Sequence, residues 1–304
     1  MEFGRLDDVS GVDFTLPPEP AENARILAAT PPGTTGAPRL LLGLAGWSDR
    51  GFLGGLYPRG TPSGAYLERY ARVFPTNELN STYYGVSPER ITRWAAAVPA
   101  GFRFCPKLPA AITHERGLRD AGGAMESFLD ALAHFEGKLG LVWGILAPSF
   151  GPESLETLEA FLQDWAPRVP LALELRHPAW FADAAALDSA LGCFERHGAV
   201  AVLTDVAGRR DVLHMRLTGR AAMLRFVGNA LHPSDFQRLD EWVERTALWL
   251  ERGLEAAYVF LHQKLDPQAV DLARHFADRF EERTGVQLLP RPTPERAPRQ
   301  HELF

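Results

Sequence analysis

The sequence is poor in cysteine, in basic charge and in long apolar runs, and each shortage excludes a class of protein. Its two cysteines, Cys105 and Cys193, form no CxxC pair, so we expect neither a disulfide scaffold nor a thiolate zinc ribbon. The formal net charge of -6 argues against a protein that coats nucleic acid non-specifically. No apolar run is long enough to span a bilayer, and residues 1–10 lack the apolar segment of a secretory signal. We therefore expect a cytoplasmic protein without a membrane partner.

Short apolar runs alternate with segments of helical periodicity along most of the 304 residues. The predicted strands are residues 40–46, 76–80, 102–107, 141–146, 171–176, 199–204, 223–227 and 257–261. The predicted helices are residues 63–74, 88–97, 124–135, 153–165, 184–197, 235–251 and 267–280. Residues 212–217 also qualify as strand seven. We prefer residues 223–227 because Gly228 and Asn229 then end that strand.

This alternation predicts a TIM-like (β/α)8 barrel over residues 39–282, because eight strand–helix units are what a closed parallel barrel requires. A doubly wound open sheet is the alternative, but the turn at residues 43–47 lacks the GxGxxG phosphate spacing. Residues 1–38, rich in Pro, Gly and Thr, predict an irregular N-terminal arm. Residues 283–304, rich in Pro, predict a flexible tail.

Polar side chains at the strand ends are the candidates for function, because such barrels carry their sites there. Charges inside apolar strands are costly unless they are paired or used. Glu78 and Glu174 end strands two and five and form a candidate acid/base pair. The candidate catalytic residues are Glu78, Glu174, His114 and Asp205. The candidate substrate-binding residues are Trp47, Asn80, Tyr83, Lys107, Arg176, His177, Arg225, Asn229 and His262.

The side-chain chemistry of these candidates indicates an anionic or sugar-like ligand. Lys107, Arg176 and Arg225 could hold a phosphate or carboxylate, and Trp47 and Tyr83 could stack on a base or sugar. The alternative is that buried ion pairs close the barrel top and that the aromatic rings only pack between loops. The histidines and carboxylates among the candidates are acceptable zinc or manganese ligands. No HExxH spacing is present, so the sequence predicts no particular metal or cofactor.

Several segments together resemble the domain of unknown function 72 family, the YecE-like proteins. The most specific are Asn-Glu-Leu-Asn-Ser-Thr-Tyr-Tyr at residues 77–84 and Leu-Glu-Leu-Arg-His-Pro-Ala-Trp at residues 173–180. Shorter matches are residues 46–48, 57–58, 93–94, 102–107, 112–115 and 148–150. The resemblance covers residues 40–261 and implies a TIM-like barrel of uncharacterised function. The family's motif residues fall on Trp47, Glu78, Asn80, Lys107, His114, Glu174, Arg176 and His177, the strand-end positions already named.

One departure from the family pattern follows strand four, where the family often has Gln-Leu-Pro and this chain has Leu146-Ala147-Pro148. A Gln that could contact a ligand is therefore absent, which puts a shared substrate in question. At fold level alone, the predicted barrel also resembles the endonuclease IV and xylose isomerase type of metal barrel.

The last five residues, Gln-His-Glu-Leu-Phe, are similar to the Gln-x-x-Leu-Phe pentapeptide by which bacterial proteins dock on the replication sliding clamp. In such docking Leu303 and Phe304 would enter an apolar pocket, and Gln300 would anchor them by hydrogen bonds. The alternative is that the Leu-Phe pair packs back on the barrel or on a second subunit.

Three functions are consistent with these patterns. The first, which we expect, is an enzyme that acts on a phosphate-containing substrate, with nucleic acid included in that class. The second is a small-molecule enzyme for a sugar or sugar phosphate, an isomerase or hydrolase that uses Glu78 and Glu174 as acid and base. The third is a non-catalytic adaptor that docks on the sliding clamp through its tail.

Overall fold

The computed structural model describes residue 4, residues 6–29 and residues 39–291 of the chain. Within this part, the paired strands all run parallel to their neighbours. The strands are β1 (Arg39–Leu44), β2 (Thr76–Leu79), β3 (Arg103–Pro106), β4 (Val142–Ile145), β5 (Leu171–Glu174), β6 (Val200–Ala201), β7 (Leu203–Asp205), β8 (Ala221–Val227) and β9 (Ala256–His262).

The strands form two sheets, with the orders β3-β2-β1-β9-β8-β7 and β4-β5-β6. Hydrogen bonds continue from β3 to β4, where the Leu108 N–H donates to the Trp143 carbonyl at 2.7 Å. At the other end, only Val202 separates β6 from β7, and its N–H donates to the Leu173 carbonyl of β5. Each edge of the first sheet is therefore linked to an edge of the second.

The described helices are α1 (Asn23–Ala28), α2 (Tyr66–Ala71), α3 (Pro88–Ala96), α4 (Gly122–Leu132), α5 (Leu155–Trp165), α6 (Ala179–Ala182), α7 (Ala184–Arg196), α8 (Pro233–Glu251) and α9 (Asp266–Thr284). Their ends follow local chemistry. Ser87 caps α3 by accepting from the Arg90 N–H, and Pro88 takes the first helical position. Gly285, at φ 74°, ends α9 in the left-handed conformation that glycine adopts without strain. None of the described helices combines the length and apolar character that crossing a bilayer requires.

Both faces of the strands are buried, which explains their nearly continuous apolar sequences. A small apolar cluster consists almost entirely of strand residues, among them Leu41, Cys105, Trp143, Met223 and Phe260. A larger cluster lies between the opposite strand faces and the helices. At one close approach, a Cβ on Gly43 of β1 would lie 2.5 Å from the Thr76 carbonyl oxygen, so only glycine fits there.

For strand seven, the preferred prediction is confirmed and the alternative is wrong. β8 covers residues 223–227, whereas residues 212–217 form no strand. Instead, the Asn23 side chain accepts from the Leu217 N–H at 2.8 Å and donates to the Met215 carbonyl at 3.0 Å. A buried asparagine therefore supplies the hydrogen bonds that a neighbouring strand would have supplied.

The N-terminal arm is more regular than predicted, since it contains α1 and packs along α8. Its Leu16 N–H donates to the Glu241 carboxylate at 3.0 Å, and Glu19 accepts from Trp249 Nε1 at 3.2 Å. At the other terminus, α9 continues to Thr284 and Leu289 is buried, so the predicted tail begins as ordered structure. Gln300, Leu303 and Phe304 lie outside the described residues.

Candidate functional site

A buried arginine joins two of the predicted catalytic carboxylates. Arg225 of β8 is 0% exposed. Its Nε lies 2.9 Å from Glu78 Oε2, and its Nη1 lies 2.7 Å from Glu174 Oε2. The guanidinium also lies over the Trp143 ring, with Cζ 4.6 Å from the ring centroid. One side chain thus holds residues of β2 and β5 that are 147 and 51 positions away in sequence.

Glu78 has two further partners at the strand ends. His262, at the end of β9, places Nε2 3.0 Å from Glu78 Oε2. The Asn80 amide donates to Glu78 Oε1 at 2.9 Å and to the Ala45 carbonyl at 3.2 Å. Because an ionised carboxylate can only accept, the proton between the two side chains is on His262 Nε2.

Two more cations lie beside Arg225. Arg176, just after β5, places Nε 2.6 Å from Glu174 Oε1 and is largely buried. Lys107, just after β3, places Nζ 4.5 Å from the Tyr83 ring centroid and 5.1 Å from that of Trp143. Within the described part of the chain, no carboxylate forms an ion pair with Lys107.

His114 belongs to the same group because its ring packs edge-on against that of Tyr83, with the two centroids 5.5 Å apart. Its Nδ1 lies 2.9 Å from the Thr113 hydroxyl. We call the following residues the strand-end cluster: Glu78, Asn80, Tyr83, Lys107, His114, Glu174, Arg176, Arg225 and His262.

Burial and neighbouring charges shift the protonation of this cluster. Burial alone would raise the pKa of Glu78, but Arg225 and His262 outweigh it and hold that pKa well below its usual range. Glu174 likewise has a lowered pKa, because Arg176 and Arg225 overcome the effect of burial. Burial and the nearby Arg225 lower the pKa of Lys107 to about 8. Both carboxylates are therefore ionised at neutral pH, and Lys107 titrates close to it.

Asp205 does not join the strand-end cluster, although the sequence grouped them. It accepts from Arg238 Nη1 and from Trp242 Nε1, each at 2.7 Å, and it pairs with Arg210. The reason is that successive residues of a strand face opposite sides of the sheet. In the β7–β8 register, Thr204 lies beside Arg225, whereas Asp205 lies beside Phe226, which faces the helices.

Three other candidates make contacts outside this cluster. The Trp47 ring packs edge-on against Trp94 at 5.5 Å, and His177 Nδ1 accepts from the Ala179 N–H at the start of α6. Asn229 donates through its backbone and side chain to Asp235. These contacts hold loops in place beside the site.

Sequence reasoning missed Trp143 and Thr204. Both are buried, and Trp143 Nε1 and Thr204 Oγ1 have no hydrogen-bond partner among the described residues. The alternation of side chains along a strand could have found them. Thr204 lies two residues after Val202 and therefore faces the same side, that of the small apolar cluster.

Of the residues named as acceptable metal ligands, Glu78 and His262 meet at the strand ends, but no group of three such donors lies within ligand reach there among the described residues. In the described chain, the group of histidine, cysteine and carboxylate donors that lies within ligand reach is Glu159, Cys193 and His197 of the helix layer. His177 and Asp205 have the separate partners given above.

The comparisons with known proteins agree with the motif resemblance. The family model described as "Protein of unknown function DUF72" matches residues 41–298. The UPF0759 protein YecE of Escherichia coli (strain K12) is 29% identical over 225 residues, which are 68% of this chain and 82% of that protein. The UPF0759 protein YunF of Bacillus subtilis (strain 168) is 30% identical over 154 residues, covering 47% and 52%.

Two solved structures share the fold of this chain. A DUF72 family protein from Enterococcus faecalis V583 superposes with a TM-score of 0.67 at 21% identity, covering 80% of this chain and 96% of that one. A DUF72 family protein from Thermotoga maritima MSB8 gives a TM-score of 0.64 at 24% identity, covering 80% and 99%. The chain therefore belongs to the DUF72 family of proteins of unknown function.

Proposed function

We propose that the protein is a TIM-like barrel enzyme whose strand-end cluster binds the phosphate group of its substrate. The links between β3 and β4 and between β6 and β7 support a closed ring. So does the meeting of Glu78, Glu174 and Arg225, because these strands belong to two different sheets and their ends meet where a ring brings them together.

The observation that carries the proposal is the balance of charge in the cluster. Glu78 and Glu174 are both ionised and both bound to Arg225. Arg176 and Lys107 add two further cations, so positive charge exceeds negative charge even with neutral histidines. A low-dielectric surface with excess positive charge and arginine donors suits a phosphate group.

This geometry favours the phosphate enzyme over a sugar enzyme with Glu78 and Glu174 as acid and base. A general acid must hold its proton at the working pH, whereas both of these carboxylates are held ionised. In our proposal the two carboxylates are positioning residues. Lys107 and Arg176 contact the phosphate, and His262 serves as the general base through Nδ1, oriented by Glu78.

Calorimetric titration tests the proposal with three ligands: inorganic phosphate, ribose 5-phosphate and ribose. We expect the two phosphate-bearing ligands to bind and ribose to give no heat. Lys107→Met should weaken phosphate binding about tenfold or more, because a charged hydrogen bond contributes about 1.5–3 kcal/mol. Lys264→Met is the matched control, since Lys264 is an exposed lysine outside the cluster, and it should bind as wild type.

Equal affinity for ribose and ribose 5-phosphate would reject the phosphate proposal and favour the sugar enzyme. Equal losses in Lys107→Met and Lys264→Met would show that the binding is general surface attraction. Titration of a single-stranded oligonucleotide against the same variants tests whether the phosphate group belongs to a nucleic acid.

We also propose that the tail docks on the bacterial sliding clamp, on the strength of Gln300, Leu303 and Phe304 in the terminal motif. Both cysteines are free, which supports a reducing, cytoplasmic setting for such docking. Purified clamp should retain the wild-type protein in a pull-down and lose the Leu303→Ala/Phe304→Ala variant. Retention of both would refute this docking.

A further inference from the structure

A second cluster of chemically reactive side chains lies in the helix layer. Cys193 is on the last turns of α7, and His197 follows that helix four residues later, so both share one helix face. Glu159 is on α5, which packs against α7. One donor atom from each side chain lies within 4.8 Å of the other two.

Two of these donors already contact each other, and the third lies close to both. His197 Nε2 lies 2.7 Å from Glu159 Oε1, and the Cys193 sulfur lies within 4.8 Å of a donor atom of each. The other oxygen of that carboxylate pairs with Arg196. Glu159 thus gathers a thiol, an imidazole and a guanidinium around one carboxyl group.

Thiolate, imidazole and carboxylate together are a ligand set that zinc prefers. Zinc binds sulfur at about 2.3 Å and nitrogen or oxygen at about 2.0–2.2 Å in tetrahedral geometry, so its ligands lie about 3–4 Å apart. The present spacing therefore needs only small side-chain adjustments. The carboxyl end of α7 adds a favourable field for a cation.

Access to the cluster comes from one side. Cys193 is buried, whereas the side chains of His197 and Glu159 are 18% and 34% exposed. An ion held by all three would have its sulfur ligand inside and its remaining position towards solvent. Three protein ligands with an open fourth position are the arrangement of catalytic zinc sites, whereas structural zinc sites have four protein ligands.

We propose that Glu159, Cys193 and His197 bind one Zn²⁺ ion, with a water molecule as the fourth ligand. On binding, the thiol releases its proton to the buffer and its sulfur bonds to zinc. The His197 ring keeps one proton, on the nitrogen that does not face the metal. Glu159 binds zinc through one oxygen while the other keeps its pair with Arg196, which orients the ligand. The site shares no residue with the strand-end cluster, so neither proposal depends on the other.

Cobalt substitution tests the site directly. The full-length, untagged protein is freed of metal with a chelator and titrated with Co²⁺. We expect one equivalent to give the intense visible bands of tetrahedral cobalt and a near-ultraviolet thiolate-to-cobalt band, both removed by one equivalent of Zn²⁺. Cys193→Ser should abolish the thiolate band, and His197→Ala should weaken binding about tenfold or more. Cys105→Ser, which changes the other cysteine, should retain the band.

Circular dichroism checks that each variant is folded. His197→Ala removes a partly exposed side chain and keeps the test decisive if Cys193→Ser does not fold. Wild-type protein without a thiolate-to-cobalt band overturns the proposal. So does a band that persists in folded Cys193→Ser, or His197→Ala binding cobalt as tightly as wild type.

Discussion

Two buried arginines in this molecule have almost the same environment, and the difference between them is informative. Arg225 bridges Glu78 and Glu174 at the strand ends, whereas Arg238 of α8 bridges Asp205 and Asp235 between strand and helix. Both are 0% exposed. Each also lies over an aromatic ring, with Cζ 4.6 Å from Trp143 for Arg225 and 4.2 Å from Phe226 for Arg238.

The partners of the carboxylates distinguish the two bridges. Asp205 also accepts from Trp242 and pairs with Arg210, and Asp235 accepts from Asn229 and Gln263. These partners are all fixed parts of the fold. The Arg225 bridge instead borders Lys107 and His262, whose Nδ1 makes no hydrogen bond within the described residues.

A buried ion pair is therefore not in itself a sign of function. In the outer bridge, centred on Arg238, both carboxylates have further partners from the fold itself, although Arg238 Nε has no hydrogen-bond partner among the described residues, and the bridge joins α8 to β7. The inner bridge, centred on Arg225, borders groups that can still form hydrogen bonds or ion pairs, which is what a ligand requires.

The largest expected effect comes from breaking the outer bridge. Arg238→Met leaves Asp205 and Asp235 buried without their shared cation, so the free energy of unfolding should fall by about 3–5 kcal/mol. Urea denaturation measures this loss. Arg252→Met is the control, because that arginine pairs with Glu19 at the surface, and its replacement should cost less than about 1 kcal/mol.

Phosphate binding by the folded fraction of Arg238→Met should equal that of wild type. A loss of stability below about 1 kcal/mol would mean that the outer bridge is not structural, and the comparison would fail.

A comparable loss of stability is expected from breaking the inner bridge, but here it should be accompanied by a loss of phosphate binding. Arg225→Met removes the cation that the buried Glu78 and Glu174 share and leaves them only His262, Asn80 and Arg176 as partners, so it should also cost about 3 kcal/mol. It should abolish phosphate binding as well. The triple variant Glu78→Gln/Glu174→Gln/Arg225→Met removes the three charges of the bridge but leaves Arg176 without its carboxylate, so it should regain part of the stability without regaining binding. Binding by the folded triple variant would show that this bridge has no role in the site.

The sequence predicted the alternation of parallel strands and helices well because its signals are local and repeated. Short apolar runs, amphipathic helices and caps such as Ser87–Pro88 are each encoded within a few residues. The N-terminal arm was predicted less well. Its order depends on distant partners, for instance Asn23 against Met215 and Leu217, which no local pattern reveals.

Which side chains meet in the strand-end cluster was predicted in part, for a physical reason. Glu78, Lys107, Glu174, Arg176 and Arg225 were found because charge inside an apolar strand is conspicuous. Asp205 was grouped with them because the prediction used only its position at a strand end. A shift of one residue along a strand moves a side chain to the opposite face of the sheet. Arg238 was not found, because an arginine on an amphipathic helix resembles an ordinary solvent-exposed residue.

The smallest expected effect concerns pH and separates the two regions without breaking either bridge. Burial lowers the pKa of Lys107 from 10.5 to about 8, so its ammonium charge is present below that pH and lost above it. Ribose 5-phosphate becomes a dianion above about pH 6. Its affinity should therefore be greatest between about pH 6 and 8 and fall as the pH rises further. Calorimetric titration across this range measures the profile, and Lys107→Met should lack the fall above pH 8.

The same pKa has a consequence for stability that needs no ligand. Between pH 8 and pH 10.5 the unfolded chain keeps the Lys107 proton that the folded chain has lost, so folding stability should rise with pH relative to Lys107→Met. Urea denaturation at both ends of this window tests the sign. Parallel curves for wild type and Lys107→Met would show that the lysine is solvated as at an ordinary surface. The contrast between an outer bridge whose carboxylates are surrounded by fixed partners and an inner bridge bordered by a desolvated cation would then be lost.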